Sequence, residues 1–366
     1  MSATVTVVLL AFFLAVLFAW AFRRLPGERW QILATLPRER ETGGAWRGVN
    51  LTYYGVFNAL GVGTGVLVAV FLAGTAGVPL SLLAWGLLAI LAVCVPASRI
   101  VHRLVEGHWH GFTIGGASFV GMVLGPWLVW SVFRLGQAAD GATEVLYVMG
   151  TVASAYALGE GIGRLACISF GCCYGRPLTD CPSWMRTLFS RWAFVFQGRL
   201  KKASYEHGVE GQRLIPVQAL TAIISSATGL AGITLFLCGR PLLAYVLPIV
   251  VTQLWRFVSE FLRADYRGLG RISAYQRMAL VGAAYTVMLG LLWPSVARNA
   301  PDVARGFSLL WTPGAILFVE ATALFVFVRM GVSTVTTSHV AFDLMHDRVS
   351  APPPTSGQAL NMRSST

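Results

Sequence analysis

The chain has 366 residues, 55% of them hydrophobic and 12% charged, with 28 Lys and Arg against 16 Asp and Glu for a net charge of +12. So apolar a composition describes a multi-spanning membrane protein rather than a water-soluble domain. It excludes nucleic acid as the partner of the positive charge, because the chain holds no basic soluble domain of adequate size.

The expected architecture is all-α, a polytopic bundle of transmembrane helices, since an isolated strand cannot satisfy its backbone in lipid. Apolar runs long enough for a ~30 Å hydrocarbon core begin at 4–22. That run reads as a retained anchor rather than a cleaved signal: no basic residue precedes it, its apolar part is long, and Arg23 and Arg24 follow where a small-residue cleavage site would stand. Residues 1–50 are then an anchor helix and a basic loop. Spans at 51–74, 80–97, 113–133 and 144–163 follow, the second of them short. Residues 174–215 form the one sizeable extramembrane segment, with Arg186, Arg191, Arg199, Lys201, Lys202 and Arg213. Spans at 216–238, 241–262 and 276–293 close a membrane core over 51–295. An extra span at 308–328, within 296–331, carries Glu320. Nine candidates result, or seven or eight if the short run and the Glu320 run do not cross. The tail over 332–366, with APPPTSGQ, is expected to be disordered.

Basic residues flanking spans suit the anionic headgroups of a lipid bilayer, at about 1 kcal/mol each near the surface, or serve only to hold loops on the cytoplasmic side. Charges inside spans are different, because each costs at least ~2.5–3.5 kcal/mol at mid-bilayer and needs a partner. Glu160 and Arg164 stand four residues apart, and Arg256, Glu260 and Arg263 at spacings of four and three, each set on one helix face. Both sets can be internal ion pairs that tie helices together. Alternatively, arginines from two helices converge on a phosphate, which the forked guanidinium suits better than lysine.

Five segments in order carry a family resemblance. GRLACISFGCCYGRP places a glycine and an arginine, Gly175 and Arg176, after the Gly163-Arg164 pair. LTYYGVFNALG contributes Tyr54 and Gly55, GFTIGGASFVG contributes Gly115 and Gly116, IPVQAL contributes Pro216 and Gln218, and RFVSEFLR contributes Arg256, Glu260 and Arg263. Together they resemble the prolipoprotein diacylglyceryl transferases over about residues 50–295, with the runs at 4–22 and 308–328 added to a seven-helix family core.

The resemblance implies an enzyme of the bacterial inner membrane. It would move the diacylglyceryl group of phosphatidylglycerol to the cysteine thiol of a prolipoprotein lipobox, releasing glycerol phosphate. It implies catalytic roles for Arg164, Arg256, Glu260 and Tyr54, and substrate binding by Arg164, Gly115, Gly116, Gly175, Gln218, Arg263 and Cys167. No metal or organic cofactor is implied. Arg164 and Arg256 would stabilise the leaving phosphate, and the acceptor reacts as its thiolate. The chain departs from the family pattern at Ile114, where many members carry histidine, at Cys167 in place of asparagine, and at Cys172 in place of an acidic residue. The His-Pro-x-Gln-Leu-Tyr-Glu element reads Ile215-Pro216-Val217-Gln218-Ala219-Leu220-Thr221. Phosphate binding is thus better supported than the base; His108 and His110 are candidate substitutes, beside Glu260 and Tyr54. A non-catalytic phospholipid-binding paralogue or transporter is the alternative.

Six cysteines remain: Cys94, Cys167, Cys172, Cys173, Cys181 and Cys238. A zinc site from Cys167, Cys172, Cys173 and Cys181 is one reading, although the spacing lacks the paired C-x-x-C knuckle of structural zinc. A disulfide from Cys181 to Cys172 or Cys173 suits an oxidising face, and small apolar packing is the third reading. Ser118 in GASFVG reads as helix packing. Nineteen Lys and Arg border the signature face and four the opposite face. The positive-inside tendency would therefore place the signature face in the cytoplasm, against the family orientation, which is retained as the expectation.

Overall fold

The computed structural model describes residues 2–107, 113–136, 141–264, 272–293 and 300–340. Helix α1 (Ala3–Arg24) leads to strands β1 (Ile32–Arg40) and β2 (Trp46–Thr52), then to helices α2 (Tyr53–Thr75), α3 (Leu80–Glu106), α4 (Ile114–Leu135) and α5 (Gly141–Phe170). Between α5 and the next long helix lie α6 (Ser183–Phe189), β3 (Phe194–Val195), α7 (Lys202–His207) and β4 (Arg213–Leu214). Helices α8 (Val217–Leu237), α9 (Pro241–Ser259), α10 (Ala274–Leu292), α11 (Val303–Leu310) and α12 (Pro313–Gly331) follow, and strand β5 (Val332–Val340) comes last.

Eight helices among the described residues are long and apolar enough to cross a membrane: α1 to α5, α8, α9 and α12. Helix α10, expected as a ninth, has the length but not the apolarity, since Gln276, Arg277 and Thr286 lie within it. The run at 80–97 is not short: its helix continues to Glu106. The run at 308–328 is broken, because Thr312 caps α12 by accepting from the Ala315 amide and Pro313 opens it, separating it from α11. Outward-facing Phe12, Trp85, Leu124 and Phe325 are exposed, as a lipid-facing surface requires.

The long helices alternate in direction, which brings the starts of α2, α4, α8 and α10 and the ends of α3, α5, α9 and α12 to one end of the bundle. Helix α5 sits among α2, α8 and α9. Its glycines set the spacing: a Cβ on Gly61 of α2 would lie 2.7 Å from the Gly159 carbonyl oxygen, and one on Gly161 2.8 Å from the Ala222 carbonyl oxygen. Only hydrogen fits between these backbones, the close approach that small residues permit in membrane bundles.

The small sheet departs from the sequence expectation. Residues 23–50 were expected as a loop and the chain from 332 as disordered, yet β1, β2 and β5 form an antiparallel sheet in the order β1-β2-β5. Residues beyond 340 lie outside the described part. Buried Asn50 ties the three strands, accepting from the hydroxyls of Thr35 at 2.7 Å and Ser338 at 2.9 Å and donating to Thr336 Oγ1 at 3.1 Å. Pro37 is tolerated in β1 because that strand is an edge. The Thr52 hydroxyl donates to the Gly331 carbonyl at 2.9 Å, fastening the sheet to the bundle where α2 starts and α12 ends.

Lys201 is also unlike a solvated basic flank. It is fully buried, and its Nζ donates to the Leu25 carbonyl at 3.0 Å and the Ser169 carbonyl at 2.5 Å, joining the ends of α1 and α5 to the extramembrane segment.

Candidate functional site

Tyr156, Glu160 and Arg164 recur every fourth residue of α5 and so share one face. Across from them Arg256 projects from the last turn of α9. Glu160 Oε1 accepts from Arg164 Nη2 at 2.5 Å and from Arg256 Nη2 at 2.7 Å. The same Arg256 nitrogen donates to the Tyr156 hydroxyl at 2.7 Å, and that hydroxyl is paired with Ser118 Oγ at 2.8 Å. The side chains of Glu160, Arg164 and Arg256 are 6%, 14% and 16% exposed. Desolvating such charges is tolerable only when they are paired and hydrogen-bonded. One carboxylate faces two guanidiniums, which leaves one positive charge over. Glu160 Oε2 and the Nε of both arginines are buried without hydrogen-bond partners among the described residues.

Arg164 and Arg256 of this cluster line the wall of a cavity of about 720 Å³ at the end where the eight helix termini meet, a size in the ~300–1,000 Å³ range of ligand pockets. Of the residues singled out in the sequence, Tyr54, Gly115, Arg164, Cys167, Gln218, Arg256, Glu260 and Arg263 line it. Gly116 and Gly175 do not. A Cβ on Gly116 would meet Val101 at 2.7 Å, and one on Gly175 would collide with the Ile215 carbonyl, so both serve close packing behind the wall. The four cationic lining side chains, Arg164, Arg256, Arg263 and Lys202, outnumber the acidic pair Glu206 and Glu260. The excess favours an anionic ligand.

The elements position these groups locally. Thr113 caps α4 by accepting from the Gly116 amide and exchanges hydrogen bonds with buried Ser98, which sets Gly115 at the cavity edge. Gln218 Nε2 donates to the Cys172 carbonyl at 2.8 Å. The Tyr54 ring meets Phe170 edge-on at 5.6 Å. Past the end of α9, Glu260 and Arg263 approach to 3.9 Å, while the Arg176 and Ala264 amides bond the Leu262 and Tyr174 carbonyls. Arg256 and Glu260, read as neighbours on one helix face, therefore take different partners. The α-helix ends at Ser259 and residues 260–262 tighten into a 3-10 turn.

Cys167, Cys172 and Cys173 gather in the same wall, with sulfurs within 4.8 Å of one another. The neighbouring thiols of Cys167 and Cys172, and then the Arg263 and Arg164 guanidiniums, hold the Cys173 thiol well below its ordinary range, while contacts with the Cys167 and Cys173 thiols push Cys172 well above it. Cys181, which the zinc and disulfide readings would place with them, is not in this group, and its thiol donates to the Pro177 carbonyl at 3.3 Å.

Its spacing in the sequence makes Glu160 only a partner for Arg164; its place as the hub between two helices depends on the α5–α9 pairing. Ser118, read as packing, bonds Tyr156, and the fourfold spacing of 156, 160 and 164 was the available signal. His102, at the end of α3, lines the cavity, whereas His108 and His110 lie outside the described residues.

The family model of prolipoprotein diacylglyceryl transferase matches residues 45–293, more than half of the chain. No curated protein and no solved structure matches it. Met330, Val332 and Ser333 line the cavity although they lie beyond the match.

Proposed function

This multi-pass membrane protein belongs to the prolipoprotein diacylglyceryl transferase family of transferases, and we propose that it moves the diacylglyceryl group of phosphatidylglycerol to the lipobox cysteine of prolipoproteins at a bacterial inner membrane. The observation that carries this reading is the convergence of Arg164 and Arg256, from two helices, on the wall of a cavity with an excess of positive charge.

In this reaction the thiol sulfur bonds the terminal glyceryl carbon, the bond from that carbon to the phosphate oxygen breaks, and glycerol phosphate leaves with an added negative charge. The thiol proton passes to a base. Arg164 and Arg256 stabilise the charge growing on the leaving oxygen, the kind of fixed electrostatic contribution that dominates many such barriers. Glu160 is bound on one oxygen by both guanidiniums, so it acts as a positioning residue that aims them. Glu260 lines the cavity, and its buried Oε2 has no hydrogen-bond partner among the described residues, so it is the better proton acceptor. The Tyr54 phenol would first have to lose its own proton.

A second reading is phospholipid binding without transfer. It is favoured by Cys167 and Cys172, which stand where the family pattern has an asparagine and an acidic residue. The two are separated by expressing the gene in a bacterium depleted of its own transferase and following labelled diacylglycerol onto a lipobox peptide. Rescue with labelled product supports transfer. Phosphatidylglycerol binding by the purified protein with no labelled product decides for the second reading.

A further inference from the structure

We propose that Cys167, Cys172 and Cys173 form a three-thiolate site for a soft d10 cation, Zn(II) or Cu(I), in the wall of the cavity.

The three sulfurs lie within 4.8 Å of one another. Zinc–sulfur bonds of ~2.3 Å in tetrahedral geometry place ligand sulfurs ~3.8 Å apart, so side-chain rotations within the existing backbone bring them to bonding distance. The backbone is already shaped for this. The Cys167 carbonyl accepts from the amides of Gly171 at 2.9 Å and Cys172 at 3.1 Å, Gly171 turns the chain at φ 74°, and Cys173 continues it at φ 55°. Cys173 is the one non-glycine residue with positive φ among those described. A left-handed non-glycine costs about 1–3 kcal/mol, and here it folds Cys172 and Cys173 back over the end of α5. Gln218 holds the Cys172 carbonyl from α8, so the turn is anchored.

The donor set chooses the class of ion. Three sulfurs with no oxygen among them suit Zn(II) or Cu(I) and exclude Mg(II) or Ca(II) as the preferred occupant. All three cysteines line the cavity, which supplies an entry path and leaves a further coordination position open to it. Arg164, Arg263 and Lys202 line the same wall and offset the negative charge of three thiolates. A simple disulfide pair would use two sulfurs and leave the third unexplained. The site stands independently of the transferase reading, and its test uses no activity.

The full-length protein in detergent, reduced and stripped of metal, is titrated with Co(II) as an optical probe. One thiolate-to-metal charge-transfer band per chain is expected, displaced by Zn(II) in one arm and by Cu(I) in the other; the tighter displacer identifies the ion. Cys167→Ser, Cys172→Ser and Cys173→Ser should each weaken binding at least tenfold, whereas Cys94→Ser and Cys181→Ser should not. If a serine variant misfolds, the parent protein still decides: the metal should shield these three cysteines, and no others, from N-ethylmaleimide in a mass-spectrometric map. Absence of the band, its survival in all three serine variants, or a map in which the metal shields none of the three would overturn the proposal.

Discussion

Glu160 and Arg256 are joined across the α5–α9 interface by an ion pair of 2.7 Å that lies at the edge of the cavity. The oxygen that holds Arg256 also holds Arg164, so under the proposed function the pair both ties the helices and aims the two guanidiniums. Removing the carboxylate leaves two buried guanidiniums side by side. We expect Glu160→Gln to cost about 3–5 kcal/mol of stability, as breaking a buried pair does, and to lower kcat for diacylglyceryl transfer more than it raises KM. Thermal unfolding in detergent combined with steady-state kinetics checks both. A variant with lowered stability and unchanged kcat would mean that Glu160 only holds helices together.

Gly61 has the plainest packing role. A methyl group there would lie 2.7 Å from the Gly159 oxygen and 2.8 Å from the Gly163 nitrogen, both backbone atoms that cannot swing away. Gly61→Ala should therefore push α2 from α5 and destabilise the protein by about 1–3 kcal/mol. Gly63→Ala, which meets only the Ala323 side chain at 3.3 Å, should cost less. Equal melting temperatures for the two variants would refute the close-approach argument.

Lys201 gives a dependence on pH. Burial pushes its ammonium down to about 8, against 10.5 for an exposed lysine. Between those values the unfolded chain holds a proton that the folded chain has released, so stability rises with pH across that window. The penalty is fully present below pH 8 and fades above it, by about 3 kcal/mol in all. From pH 7 to 10.5 the unfolding free energy of the parent should rise by that contribution relative to Lys201→Met. Parallel curves would show that Lys201 keeps an ordinary affinity for its proton.

The membrane spans were legible because hydropathy and length are local properties, and α5, α8 and α9 lie close to where the apolar runs place them. The ion-pair cluster was half legible: the fourfold spacing put Glu160 and Arg164 on one face, but nothing local says that Arg256 faces them. The sheet was not legible, because β2 and β5 pair across more than 280 residues and VSTVTTSHV is a polar run. Its Thr and Val residues do favour a strand. The grouping of Cys173 with Cys167 and without Cys181 was not legible for a related reason, since a left-handed turn after Gly171, rather than a sequence spacing, brings its sulfur to Cys167.

Under the proposed function Arg164 is the group that meets the lipid phosphate. The measurement is transfer of labelled diacylglycerol from phosphatidylglycerol to a lipobox peptide by purified parent and variants. Arg164→Ala should lose about 10² to 10³ in rate, the effect of removing one preorganised contact to developing charge. Arg164→Lys should recover part of it, since the charge survives but the fork does not. Near-parent transfer by the double variant Glu160→Gln with Arg164→Gln would contradict the account and reduce Arg164 to a partner of Glu160.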